Sequence, residues 1–416
     1  MSLTDSVTAL APFRVRSFRF QWPADLATAW AFEMEAIILG WYVLVETGSV
    51  LWLTAFGALT FLGVLLAPMF GIVGDRIGYR NLLCLMRLTY AALSSVLMVL
   101  IFTGALTPIL AFAIAMLSGL VRPSDLVMRN LLVGQTMPPA QLMGAMGISR
   151  TTADSARVAG SLAGAGLVAV LGMGPAYLAV IGCYLVSLLL TLGVSNLAVR
   201  PTASGTRAIS PWRDMREGLA YVWREPHLRS EMYLAFLVNL TAFPLTGTLL
   251  AYVAKNVYGI GQTGLGWLVA SFALGALLGS IALTTHGAKV PPGRTTLVAG
   301  AIWYVLLIIF AFIPWPTVGA VVLMLGGFAQ SFCMVPLAVL LLRDTPAHFR
   351  GRVMGVRMLA VYGMPLGILC AGPLVARFDY TVTAVVFCSV GLLFTVVIGL
   401  RWRSHLWTMS ATANRR

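Results

Sequence analysis

Residues Gly71 to Asn81 read GIVGDRIGYRN. This is a short polar block between two long apolar stretches, 50–70 and 82–103. Its glycines permit a tight turn and close helix approach. A lone acid, Asp75, stands beside Arg76, with Arg80 four residues on. Such a block marks the point where two membrane helices emerge together and are clamped by polar contacts.

The remainder of the chain has the composition that this reading requires. Of 416 residues, 59% are hydrophobic and only 10% are charged, and the mean hydropathy is +0.90. So few charges cannot cover the surface of a water-soluble protein of this size. Apolar runs long enough to cross a bilayer recur throughout. They fall near 22–46, 50–73, 82–103, 107–131, 143–170, 175–198, 228–257, 263–286, 294–313, 317–342, 351–375 and 380–400. In lipid every backbone polar group must be satisfied internally, so these runs are expected to be helices. The expected fold is an all-α membrane protein of about twelve spans with the bilayer as its solvent.

The net charge of +14 does not indicate a nucleic-acid partner, because the basic residues cluster on alternate loops. Arg14, Arg16 and Arg19 precede the first span. Arg207, Arg213, Arg216 and Arg224 lie in the middle segment, and Arg401 and Arg403 follow the last span. This asymmetry places both termini and the middle segment in the cytoplasm. The first 21 residues show no cleavable signal sequence. Five cysteines lie within or beside apolar runs with no metal-ligand spacing, so they read as packing residues and no metal or cofactor is expected.

Residues 199–227 form the long polar segment. Pro201, Gly205 and Pro211 give its first part a loop character. From Trp212, Met215, Leu219 and Val222 recur at helical spacing, which predicts an amphipathic helix on the cytosolic surface. The expected organisation is a cytosolic segment 1–21, a six-helix bundle 22–198, a linker 199–227, a second six-helix bundle 228–400 and a tail 401–416. A shift of 208 residues superposes Met146-Gly147 on Met354-Gly355, Gly164 on Gly372 and Gly71 on Gly279. These matches predict two pseudo-symmetric bundles. The second copy lacks the acid: Leu283 stands where Asp75 stands.

The 71–81 block resembles the loop between helices 2 and 3 of major facilitator transporters, through Gly71, Asp75, Arg76, Gly78 and Arg80. FRVRSFRFQW ahead of the first span, GWYVLVETGSVLWL (40–53) and TPAHFRGRVMGVR (345–357) are similar to the bacterial drug- and siderophore-exporter branch. Pro123, Arg157 and Gly160 also fit that branch. Ser161 departs from it, since Pro often follows the glycine. Ala115 departs too, standing where many antiporters carry an Arg. The resemblance implies a transporter of the bacterial cytoplasmic membrane that works as a monomer. It implies that Asp75 sits between Arg76 and the Arg350–Arg352 loop as a conformational clamp.

Ionisable residues inside a membrane are costly and by default mark a pathway or a pair. The first span carries Asp25, Glu33 and Glu35, the fourth Arg122, Asp125 and Arg129, and the fifth Arg150, Asp154 and Arg157. On each of the last two helices the Asp lies within reach of both arginines. Four Arg against two Asp leave a surplus of +2 on these two helices, to be met by acids of the first span or by an anionic solute. Arg129 and Arg150 are expected in a structural lattice near the cytosol, and Arg122, Asp154 and Arg157 deeper, on a pathway. Glu33 and Glu35 differ by about 200° around a helix, so one is expected to face the cavity and the other a neighbouring helix. Glu33 is the expected proton carrier, with Glu35 as the alternative. Leu26, Trp30, Ile37 and Trp41 would form the lipid-facing stripe. In the second half Asn239, Thr241, Thr246, Gln330 and Ser331, with several aromatics, would form a neutral wall.

No nucleophile–base or metal-ligand pattern supports an enzyme, and no nucleotide-binding loop supports ATP-driven pumping. The expected function is proton-coupled export of a small amphipathic organic solute by alternating access. The alternative is proton-coupled uptake of an organic anion.

Overall fold

A computed structural model describes residues 11–195, 211–286, 291–343 and 359–403, with Thr345, Val353, Val356 and Arg357 between the last two ranges. The ordered elements are helical, with no strand among the described residues. We number the main helices α1 (Arg16–Thr47), α2 (Val50–Leu59), α3 (Ala67–Ile77), α4 (Tyr79–Phe102), α5 (Pro108–Thr136), α6 (Pro139–Leu171) and α7 (Met173–Leu192). After them come α8 (Pro211–Arg224), α9 (Pro226–Thr241), α10 (Gln262–His286), α11 (Pro292–Phe312), α12 (Pro316–Arg343), α13 (Gly363–Phe378) and α14 (Tyr380–Arg401).

Nine described helices are long and apolar enough to cross a membrane. The other three expected spans are interrupted or partly outside the described residues. The second consists of α2, a 3-10 turn at Leu62–Leu66 and α3, which Pro68 opens. The seventh consists of α9, two short turns at Phe243–Thr246 and Leu249–Tyr252, and a π-helical turn at Val253–Val257. Its break falls at Gly247, whose φ of −117° and ψ of −104° leave the helical region. The eleventh is described as α13.

The 71–81 block is less of a loop than its composition suggests. Gly71, Asp75 and Arg76 belong to α3, and α4 begins at Tyr79, so Gly78 alone makes the turn. Its φ of +87° is a left-handed value that glycine adopts without a Cβ clash. The Gly78 amide donates to the Gly74 carbonyl at 2.8 Å. Arg80 donates to the Val194 carbonyl just beyond α7 at 3.2 Å. The Asp75 side chain, Arg350 and Arg352 lie outside the described residues.

The described contacts divide the chain into two compact units. The first holds α1, the chain from Leu59 through α7, and residues 260–270 at the start of α10. The second holds α2 up to Ala58, then α8 and α9, the rest of α10, and the chain beyond it. Each unit thus borrows a helical piece from the other sequence half. In the first, α1 packs against α5, α6 and α7, while α4 packs against α5 and α7. In the second, α11 packs against α12 and α14, and α9 against α12, α13 and α14.

Small residues set these close approaches, as expected where lipid supplies no hydrophobic drive between helices. A Cβ on Gly160 would lie 2.8 Å from the Glu33 Cβ, and one on Gly164 would lie 2.7 Å from the Met34 Cα. The two glycines therefore let α6 lie directly on α1. Gly63 and Gly119 mate across α5 in the same way, each facing the other segment's backbone carbonyls. The second unit buries Trp303, Tyr304 and Phe310 at its centre.

Gly63→Ala or Gly119→Ala is expected to lower stability by about 1–3 kcal/mol through overpacking against backbone that cannot yield. Gly166 has open space around its Cα, so Gly166→Ala is expected to be tolerated. Melting temperatures of the three variants in detergent check this contrast.

Candidate functional site

The charged residues of the first unit form two groups of different character. The first is a buried lattice built around Asp25. Its carboxylate pairs closely with Arg87 on α4 and lies 3.6 Å from Nε of Arg129 on α5. Arg129 also pairs closely with Asp125, one turn earlier on α5, and donates to the Asp25 carbonyl at 3.3 Å. Arg87 is 0% exposed and donates in addition to the Ser187 carbonyl of α7 at 3.3 Å. Gln21 donates to the Arg129 carbonyl at 3.0 Å, and Trp22 donates to Thr152 of α6 at 2.8 Å. One acid on α1 therefore ties together α4, α5 and α7. A cleft lined by Trp22, Asp25, Ala29, Arg129, Ser149 and Thr152 lies beside it.

Glu35 is also buried and belongs with this inner group. Ser94 of α4 donates to its Oε1 at 3.0 Å, and Tyr184 of α7 donates to its Oε2 at 3.1 Å. Both carboxylate oxygens are thus satisfied by hydroxyls, which allows an acid to be kept out of water. Beneath it Phe32 meets Tyr90 and Tyr184 edge to face, with centroids 5.0 and 5.8 Å away. The Arg122 guanidinium lies over the Phe32 ring at 4.2 Å, a cation–π contact. Arg122 has no ion pair among the described residues, contrary to the expected pairing with Asp125.

The second group is more open. Glu33 and Arg157 approach to 3.7 Å, with side chains 26% and 39% exposed. The pair runs from α1 to α6 and sits where Gly160 brings the two helices together. Asp154 is buried on α6, one turn earlier. The Arg150 side chain lies outside the described residues.

Three expectations need correction. Ile37 is buried, so it is not part of a lipid-facing stripe, whereas Trp30 is exposed. The neutral wall of the second half is largely packing: Thr241, Thr246, Gln330 and Ser331 are all buried. Thr241 hydrogen-bonds Tyr304 at 2.6 Å, and Ser331 donates to the Ala276 carbonyl at 2.6 Å. Asn239 is half-buried, and its amide donates to the Ala235 carbonyl of its own helix at 2.8 Å. Finally, the embedded charges are not confined to the three groups read from the sequence.

Arg87, the sixth residue of the third apolar run, is the buried partner of Asp25 and lies outside those groups. Buried Glu231, near the start of the seventh, is a second omission. A single charge interrupting an apolar run marks both positions in the sequence. The three acids of α1 more than offset the surplus of +2 on the fourth and fifth spans, and Arg87 brings the sequence count of these embedded charges to five basic against five acidic.

Asp25→Ala is expected to cost about 3–5 kcal/mol, because it leaves a fully buried guanidinium without its carboxylate. Arg87→Leu added to it is expected to recover part of that loss. Chemical denaturation of the single and double variants measures the coupling; additive losses would rule the pair out as a structural unit.

The sequence profile of the Major Facilitator Superfamily matches residues 26–362 and, in a second alignment, 232–413. The multidrug efflux pump Tap of Mycolicibacterium fortuitum is 30% identical over 162 residues, which are 38% of this chain and 38% of that protein. The match thus spans well under half of that relative. Among solved structures, the nucleoside transporter NupG gives a TM-score of 0.70 at 14% identity, over 93% of this chain and 99% of that one. A POT family transporter in complex with a thioalcohol-conjugated peptide gives 0.71 at 12% identity, over 94% and 97%. The human organic anion transporter MFSD10 gives 0.64 at 16% identity, over 92% and 99%. At these identities the structural likenesses speak for the fold alone. With most of its length matched by the family profile, the chain is a multi-pass membrane transporter that belongs to the Major Facilitator Superfamily.

Proposed function

We propose that this transporter exports a small amphipathic organic solute in exchange for protons, by alternating access, with Glu33 as the proton carrier. The observation that carries the reading is the contrast between the acids of α1. Asp25 and Glu35 are buried and hold hydrogen-bonded or ionic partners on neighbouring helices. Glu33 keeps a half-exposed, long ion pair with Arg157. A carboxylate that water reaches, and whose partner is not locked in place, can gain and lose a proton without dismantling the bundle. Arg157 is then the group that competes with the proton for Glu33. The partial likeness to a multidrug efflux pump favours export of an amphipathic molecule.

The balanced charge count removes the motive for the organic-anion alternative, which rested on surplus arginine. Under this reading the protein works as a monomer in the bacterial cytoplasmic membrane, with both termini and α8 in the cytosol. Asp75, Arg76, Arg350 and Arg352 are the proposed clamp that switches between access states, with Gly71, Gly78 and Arg80 shaping it. Asp154 and Arg122 are proposed pathway residues, and Asn239 is a proposed solute contact.

Everted membrane vesicles given external ethidium as an amphipathic probe test the proposal. Wild-type protein is expected to accumulate the dye when the lumen is acidified and to release it when the gradient is collapsed. Glu33→Gln is expected to lose gradient-driven accumulation but keep dye exchange down its own gradient, since an amide cannot carry the proton. Full gradient-driven accumulation by Glu33→Gln would refute the assignment. Dye accumulation confined to right-side-out vesicles would refute export.

A further inference from the structure

The linker helix α8 lies on the second unit by one narrow stripe. Val222 is buried in a cluster with Leu228, Met232 and Leu341, and Gly218 is buried one turn before it. The adjacent stripe is apolar yet uncovered: Leu219 is 41% exposed and Trp223 is 57% exposed. This differs from the sequence expectation, in which Leu219 and Val222 share one buried face. Trp223 meets Tyr233 of α9 edge to face at 6.2 Å, and Tyr233 meets Trp402 in the same manner at 6.1 Å. Three aromatic rings from three separate segments thus line one outward-facing surface.

The same surface is basic. The Arg401 guanidinium lies 5.8 Å from the Trp402 ring centroid. Arg229 stands one turn before Tyr233 on the same face of α9. Its Nε is buried and has no hydrogen-bond partner among the described residues. Arg216, Arg224 and Arg403 are exposed around the rim. The nearby carboxylates are Glu217, Glu225 and Glu231. Glu225 faces His227 at 3.8 Å, and Glu231 is buried. Five arginines against three acids leave the patch at +2.

What covers this patch follows from the helix that ends at it. The outer face of α14 exposes Leu393, Val397 and Leu400, at 60%, 47% and 68%. That apolar strip stops at Arg401, so lipid chains that cover Leu400 bring a headgroup level with Arg401 and Trp402. Tryptophan and tyrosine favour this depth, and basic residues here attract anionic lipid.

We infer that Trp223, Tyr233 and Trp402, with Arg229 and Arg401, form a binding site for the phosphate headgroup of an anionic phospholipid, which anchors α8 to the bundle. The rings cradle the glycerol and upper chains. Arg401, 5.8 Å from the Trp402 ring centroid, offers its planar fork to the phosphate, and Arg229 closes the site from α9.

The test uses the purified full-length protein in nonionic detergent. Phosphatidylglycerol is expected to raise the melting temperature by about 2–4 °C more than phosphatidylcholine at equal mole fraction. Arg229→Gln with Arg401→Gln is expected to abolish the difference. Arg401→Lys alone is expected to keep part of it, since charge remains while the planar fork is lost. Equal shifts from the two lipids, an unchanged difference in the paired variant, or the same shift from inorganic phosphate would each overturn the site. Should the paired variant fail to fold, wild-type protein is labelled with phosphatidylglycerol carrying a photoreactive headgroup. Label on residues 219–233 and 401–403 supports the site, and label confined to other segments overturns it.

Discussion

A guanidinium with no exposure to solvent has to be paired, and Arg87 is paired with Asp25. Arginine does not shed its proton to escape burial, so its charge persists wherever the fold places it. Losing the carboxylate would leave that charge with the Ser187 carbonyl as its remaining described partner. The same carboxylate is shared with Arg129, which holds Asp125 in turn. These contacts fix which face of α1 looks toward α4 and α5. Once that face is fixed, the placement of every other polar residue on α1 follows from helix geometry.

Glu33 and Glu35 fall about 80° to either side of Asp25 around a regular helix. One side leads to Ser94 and Tyr184, where Glu35 is enclosed by hydroxyl donors. The other leads to α6, where Gly160 admits the α1 backbone and Arg157 reaches Glu33. A structural lattice and an open ion pair thus coexist on one helix. Under the proposed function, that division is what would let Glu33 change its protonation state without loosening the packing that supports it. It also explains why the glycines of α6 matter beyond close packing: a Cβ at position 160 would push Glu33 away from its partner.

The apolar runs, the asymmetry of basic loops and the 71–81 block made the all-helical membrane fold legible, because lipid imposes its length and satisfaction rules directly on sequence. The interruptions near Gly63 and Gly247 were less legible, since continuous hydropathy hides a change from α to 3-10 or π geometry. The acids of α1 were readable as separate flanks from their two-residue spacing. Arg87 was not legible as a buried partner, because a lone Arg near a span end resembles an ordinary loop charge. The neutral wall failed for another reason: Thr and Ser can bond their own helix or a neighbour, so their presence in a span does not imply contact with water. Thr241 and Ser331 both do so.

The central claim is that α1 presents position 33 to water and withholds position 35. Thiol accessibility measures this most directly. In a background with the five native cysteines replaced, Glu33→Cys and Glu35→Cys are exposed in intact membranes to a charged, water-soluble thiol reagent. The account predicts rapid labelling of Glu33→Cys and protection of Glu35→Cys until the protein is unfolded. Protection of Glu33→Cys with labelling of Glu35→Cys in the folded protein would contradict it.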